Sequence, residues 1–142
     1  MGLQRTRVRI ELDTVIRDDQ TMDRIKHTFK GTLAKKGRMT VITYREHLEE
    51  KQYVDTFMTI TDDKINVKRT GTVSMNQAFI EQARTECVYT HPHGNMHMET
   101  FTTESSHEVT ENGGKVVLVY EVKLNGQDSR QHELMLTYQE EE

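Results

Sequence analysis

The sequence predicts an all-β fold, an antiparallel meander closed as a barrel of about eight to ten strands. Apolar and polar residues alternate with period two along most of the chain, which places successive side chains on opposite faces of a strand. Turn signals separate the alternating runs at intervals of about ten residues. The chain also holds nineteen threonines, which favour strands, and only one proline, which cannot donate to a β-ladder.

The N-terminal stretch RVRIELDTVI shows the alternation most clearly. Val8, Ile10 and Leu12 share one side of the predicted strand, and charged residues stand between them. One face therefore packs in the core and the other faces water. Later strands follow the same pattern, with these same-face sets in chain order: Thr40, Ile42, Tyr44 and Glu46; Ile65, Val67 and Arg69; Val73, Met75, Gln77 and Phe79; Val116, Leu118, Tyr120, Val122 and Leu124; Leu134, Leu136 and Tyr138.

The segment DQTMDRIKHTF allows two interpretations. Ile25, His27 and Phe29 alternate as in a strand, but Met22, Ile25 and Phe29 also lie at helical spacing. We favour a strand and keep a short helix as the alternative. Elsewhere the predicted strands are separated by polar breaks typical of turns, namely KKG, TDD, ENGG and NGQD.

Composition limits the function classes. The 142 residues predict a single β-barrel domain over 1–142, and a hydrophobic content of 34% predicts a thin core. Charges of both signs are interspersed with a net charge of −4, so no basic surface for nucleic acid is expected. No segment has the apolar length of a signal peptide or a membrane span. We therefore expect a cytoplasmic protein with neither a nucleic-acid nor a membrane partner, whose oligomeric state the sequence does not indicate.

Motifs for known chemistry are missing from the sequence. It contains no G-x-S-x-G elbow and no phosphate-binding G-x-x-x-x-G-K-[ST] loop, and Cys87 has no second cysteine to pair with. The default interpretation of Cys87 is a buried, inert thiol. We expect no cofactor and no catalytic residue, although an enzyme without a recognisable motif stays open as an alternative.

The stretch YTHPHGNMHMET at 89–100 raises the question of a metal site. If Gly94-Asn95 forms a two-residue hairpin turn, His91 and His93 share a face with two methionines, while His97 points to the other face. The geometry therefore separates the three histidines, and a zinc site is not expected. The two-histidine, two-methionine face would suit copper(I) better, but the simpler interpretation is methionines that line the barrel and histidines near its rim.

The run YREHLEEKQYV to ETFTTE, with VVLVYEVKLNGQ after it, resembles the YwiB-like family of uncharacterised bacterial proteins. The resemblance covers most of the chain. It implies a calycin-type β-barrel, the architecture shared by lipocalins and fatty-acid-binding proteins, and it carries no catalytic signature. Its residues are Tyr44 with Glu46, Arg69 with Gly71, Met75 with Phe79, the stretch from Tyr89 to Gly94, and Tyr120.

Polar residues on the predicted inner faces supply the candidate site. Arg69 continues the face of Ile65 and Val67, so its guanidinium should point inward, where it needs a carboxylate. Glu46 is the leading candidate for that partner. The sequence favours binding of a small amphipathic or anionic molecule inside the barrel, and a structural or protein-interaction module with a filled barrel is the alternative. The predicted ligand-binding residues are Tyr44, Glu46, Arg69, Tyr89 and Tyr120.

Overall fold

The structure, a computed structural model, describes residues 4–141 as ten β-strands with no helix in that range. No helix long and apolar enough to cross a membrane occurs among these residues. The predicted all-β fold is confirmed, and DQTMDRIKHTF forms a turn and a strand. The strands are β1 (Gln4–Arg17), β2 (Met22–Lys36), β3 (Met39–His47), β4 (Tyr53–Ile60), β5 (Ile65–Gly71), β6 (Met75–Phe79), β7 (Ala83–His91), β8 (Gly94–Thr110), β9 (Gly113–Leu124) and β10 (Arg130–Glu140).

All pairs in the sheet are antiparallel, and the order is β6-β5-β4-β3-β2-β1-β10-β9-β8-β7. The two outermost strands, β6 and β7, then approach each other. Ser74 and Thr90 exchange backbone hydrogen bonds of 3.0 and 2.8 Å, and the Thr85 hydroxyl donates to the Ala78 carbonyl at 2.7 Å. The sheet is therefore nearly closed as a barrel.

Because the strands run up and down in sequence, the two ends of the barrel are distinct. We call the end with the β1–β2 and β9–β10 turns the mouth and the opposite end the base. The predicted breaks KKG, TDD, ENGG and NGQD all lie at observed turns. Inward-facing side chains fill the base as a core; they include Val8, Ile10, Leu33, Ile42, Met58, Ile60, Ile65, Phe79, Val116, Leu118 and Leu136.

The first half of β2 departs from the predicted core face. Ile25 belongs to the inward set, yet 42% of its surface is exposed. The reason is the stagger of the strands, since β3 pairs with β2 only from Gly31 to Lys36. A side chain at Gly31 would overlap the Thr43 carbonyl, so only glycine allows β2 and β3 to come this close. Gly31 is also the last residue of β2 that pairs with β3 on the mouth side. Beyond it, the β1–β2 hairpin stands above the barrel wall.

The histidine-rich hairpin corrects a second prediction. The turn residues are Pro92 and His93, and His91 pairs with Gly94, so the predicted turn at Gly94-Asn95 was wrong by two residues. Proline suits the second position of a common β-turn, and glycine suits its fourth, where Gly94 has a φ of 137°. A shift of two residues keeps side chains on their faces. Consequently His91 still lies on the inner face and His97 on the outer, whereas His93 belongs to the turn.

Candidate functional site: a cavity at the mouth of the barrel

The mouth half of the barrel contains a cavity of about 940 Å³ that is partly open to solvent. Its walls come from the mouth ends of strands whose base ends are packed with apolar side chains, so one barrel has a solid half and a hollow half. A volume of this size is within the range of small-molecule sites. The inward-facing side chains around it include Ile16, Arg69, Met75, Gln77, Tyr89, Met98, Tyr120, Val122, Leu124 and His132.

Arg69 lies on the cavity wall and contacts Glu46. Its Nη2 atom is 3.2 Å from Glu46 Oε1, and 27% and 28% of the two side chains are exposed. The contact joins β5 to β3 over Thr56 of β4, which pairs with Arg69 on one side and Tyr44 on the other. The ion pair expected from strand alternation is thus present. Glu46 is not part of the cavity wall, so the cavity surface presents the guanidinium.

Tyr44 lies behind the cavity wall. Its ring stacks on Phe29 with centroids 4.6 Å apart, and its hydroxyl bonds to Thr56. Burial raises the pKa of Tyr44, so its hydroxyl stays protonated at neutral pH. Tyr44 therefore supports the strand that carries Glu46 and does not reach the cavity.

Tyr120 is deeply buried in the cavity wall, with 6% of its surface exposed. Its ring packs edge-on against Phe79 at 4.7 Å and stacks on His132 at 5.1 Å. Burial raises the pKa of Tyr120, and nearby Tyr44 raises it further. In the described chain no side-chain hydrogen bond involves its hydroxyl, which therefore lies beside the cavity without a protein partner.

His132 was missed by the sequence analysis. Burial lowers its pKa to about 4, with the Arg130 charge acting in the same direction, so the imidazole is neutral at pH 7. A neutral imidazole offers one donor and one acceptor to the cavity. The alternation that identified Leu134, Leu136 and Tyr138 extends back to His132 and would have placed it on the inner face.

The remaining cavity wall combines soft apolar groups with one polar bridge. The Gln77 amide nitrogen donates to the Thr100 hydroxyl at 2.8 Å. Tyr89, a predicted site residue, lines the cavity opposite Met96. Cys87 pairs with Met98 and is only partly buried, and burial raises the pKa of its thiol.

The sequence analysis also missed a cluster of potential metal ligands on the outer wall, because its residues come together only through the register of β7 and β8. Glu86, His97 and Glu99 have potential ligand atoms within 4.8 Å of one another. The Arg84 guanidinium is 3.7 Å from Glu99, and the His97 ring is 3.7 Å from Glu86. Because an arginine already contacts one carboxylate and the groups are largely exposed, we interpret the cluster as a surface ion network.

Of the five predicted site residues, Arg69, Tyr89 and Tyr120 line the cavity, while Glu46 and Tyr44 lie behind it. Strand alternation thus identified inner-face residues but could not show which of them border empty space.

Comparison with known proteins agrees with this architecture. The "Uncharacterized beta-barrel protein YwiB" of Bacillus subtilis (strain 168) is 26% identical over 137 residues, covering 96% of this chain and 95% of the relative. The crystal structure of the ywiB protein from Bacillus subtilis has a TM-score of 0.87 at 24% identity and covers 97% of this chain and 94% of that one. The likeness in structure shows the fold, and the resemblance noted in the sequence is confirmed. Residues 10–136 match the domain of unknown function DUF1934, and the chain belongs to that family.

Proposed function

We propose that the protein binds a small amphipathic or anionic molecule inside the mouth half of its barrel. The observation that supports this is the cavity of about 940 Å³, which has a guanidinium and a phenol at its inner end and apolar side chains along its wall. Binding sites for small molecules combine an apolar lining with a few polar groups that orient the ligand. Because of the family resemblance, we further propose that the protein is a calycin-type carrier in a bacterial cytoplasm.

Arg69 is the group that would orient the ligand. Glu46 accepts from one nitrogen of the guanidinium, and arginine has five N–H donors in all. The donors that remain can meet an acidic or carbonyl oxygen, with the Tyr120 hydroxyl beside them. The apolar part of the ligand would then lie against Met75, Met98 and Val122.

Two roles for the Arg69–Glu46 pair follow, and one substitution separates them. As a structural contact, the pair fixes the register of β3, β4 and β5, and Arg69→Met would lower stability. As a ligand anchor, the guanidinium holds the head group, and Arg69→Met would leave a folded protein with weakened binding. Lys68→Met is the matched control, because Lys68 is exposed on the outer face of the same strand.

The test is titration of the native protein with an apolar fluorescent probe. We expect saturable binding at about one probe per chain, displacement by amphipathic competitors, and retention of cargo in native mass spectrometry of protein purified from cells. Lys68→Met should bind as the wild type does. Absence of any saturable binding would overturn the proposal and favour the structural or protein-interaction module, whose working surface is the outer wall.

A further inference from the structure

The mouth of the cavity carries fixed negative charge. Asp18 lies in the β1–β2 turn, where the backbone N–H groups of Gln20 and Thr21 donate to its carboxylate at 2.9 and 2.8 Å. These hydrogen bonds lower the pKa of Asp18, and the charge of Arg130 lowers it further. The carboxylate is therefore ionised at neutral pH and is partly balanced by Arg130 at the start of the neighbouring strand β10.

Two further carboxylates lie at the mouth, so three acidic residues face one arginine, Arg130, among the cavity-lining residues at this end. Asp19 follows Asp18 in the β1–β2 turn, and Asp128 belongs to the β9–β10 turn; both line the cavity. Neither forms an ion pair with another residue of the described range 4–141. The entrance consequently favours a positively charged group over a negatively charged one.

The inner end of the cavity has the opposite preference. The Arg69 guanidinium faces the cavity with donors beyond the one that Glu46 uses, and the Tyr120 hydroxyl, on a side chain only 6% exposed, has no partner in the described chain. This hydroxyl faces the cavity and is free to donate to a bound acidic group, so the inner end offers a second donor beside the guanidinium.

The separation between the two ends follows from strand geometry. Tyr120 and Leu124 both line the cavity on β9, and the β9–β10 turn follows directly after Leu124. Four residues of an extended strand rise about 13 Å. This rise along β9 sets the length scale for a ligand that reaches both ends, with an apolar segment between its two polar groups.

We propose that the ligand is dipolar, with an acidic head at Arg69 and Tyr120 and a cationic group at the mouth near Asp19 and Asp128. The proposal rests on the proposed function and narrows its ligand class from amphipathic molecules in general to linear amphiphiles that carry a carboxylate at one end and an ammonium group at the other.

A set of three matched probes tests this proposal: 11-aminoundecanoate, undecanoate and undecylamine, each used to displace the fluorescent probe. We expect 11-aminoundecanoate to bind about threefold to tenfold more tightly than either singly charged compound at low ionic strength, with the advantage declining as salt is added. The double substitution Asp19→Asn/Asp128→Asn should remove the advantage over undecanoate. It should leave undecanoate binding unchanged or tighter.

The control is Asp62→Asn/Asp63→Asn in the β4–β5 turn, which changes the net charge equally at the base of the barrel. If the control has the same effect as the mouth variant, or if undecanoate binds as tightly as 11-aminoundecanoate to the wild type, the dipolar proposal is wrong while the binding function stands. If neither the fluorescent probe nor any of the three compounds binds, the proposed function itself fails, and the dipolar proposal fails with it.

Discussion

Arg69 of β5 and Glu46 of β3 meet across β4, with guanidinium nitrogen and carboxylate oxygen 3.2 Å apart and about a quarter of each side chain exposed. The burial of this pair is intermediate. Exposed ion pairs contribute little to stability, and fully buried pairs carry a large desolvation cost. Its partial burial also leaves guanidinium donors facing the cavity. One contact can therefore serve both the wall of the barrel and the site inside it.

A double-mutant cycle with Arg69→Met and Glu46→Gln measures the structural share of this contact. We expect each single change to lower the free energy of unfolding by about 1–3 kcal/mol, because a partly buried charge loses its partner. The coupling energy between the two should be about 0.5–2 kcal/mol. Urea unfolding gives these values, and Lys68→Met serves as the surface control. A coupling energy of zero would show that the pair does not hold the strands in register.

Tyr120→Phe separates ligand binding from stability. The Tyr120 hydroxyl has no hydrogen-bond partner in the described chain, so its removal should change the free energy of unfolding by less than about 0.5 kcal/mol. Ligand affinity should nevertheless fall. Tyr138→Phe is the matched control, because the Tyr138 hydroxyl lies 2.7 Å from the His107 ring and its loss should cost about 1 kcal/mol of stability. Equal destabilisation by the two changes would contradict the assignment of Tyr120 to the cavity.

The histidines of the β7–β8 hairpin are predicted to hold no stoichiometric zinc. His93 lies in the turn with its backbone N–H donating to His91 Nδ1 at 3.2 Å, while His97 is on the opposite face of the sheet. We expect His91→Ala/His93→Ala to fold with unchanged circular dichroism and an unchanged melting temperature. Elemental analysis of purified protein should find less than one metal ion per chain. One tightly held ion that disappears in the double variant would contradict this prediction, and loss in His97→Ala would point to the outer cluster.

Much of the fold could be predicted from sequence because adjacent residues of a strand point to opposite faces, so the buried and exposed faces appear as an alternating pattern. Val8, Ile10 and Leu12 show this directly, and so do the polar turns between later strands. The hairpin at Pro92 was misplaced because two neighbouring dipeptides both suit a turn, and only pairing with the facing strand selects one. The exposure of Ile25 depends on where β2 loses its partner β3, which is a property of the stagger between strands.

The candidate site was less accessible to sequence reasoning. Alternation placed Arg69 and Glu46 on inner faces, and their contact followed from the cost of an unpaired buried charge. The cavity volume depends on the total size of the side chains that several strands direct inward. That total cannot be read from the sequence of any one strand. Asp19 and Asp128 are ordinary turn residues in sequence. Only the pairing of β1 with β10, which are far apart in sequence, brings their two turns side by side at the same end of the sheet.

The position of His132 predicts a pH-dependent stability. Burial lowers its pKa in the folded protein to about 4 from an ordinary value of 6.5. Between these two values the unfolded chain binds a proton that the folded protein does not, so stability rises with pH in this window. The contribution of neutral His132 is complete above about pH 6.5 and declines as the pH falls toward 4, by at most about 1.4 kcal/mol per pH unit.

Urea unfolding of the wild type and of His132→Gln between pH 4.5 and 7.5 tests this directly. Burial also lowers the pKa of His107, which adds to the wild-type slope, so the informative quantity is the difference between the two proteins. Glutamine keeps a polar side chain at the wall but cannot take up a proton in this range. We expect the stability of the wild type relative to the variant to decrease steadily from pH 6.5 down to pH 4.5. Parallel curves for the wild type and His132→Gln would mean that this imidazole takes up its proton as readily in the folded barrel as in the unfolded chain.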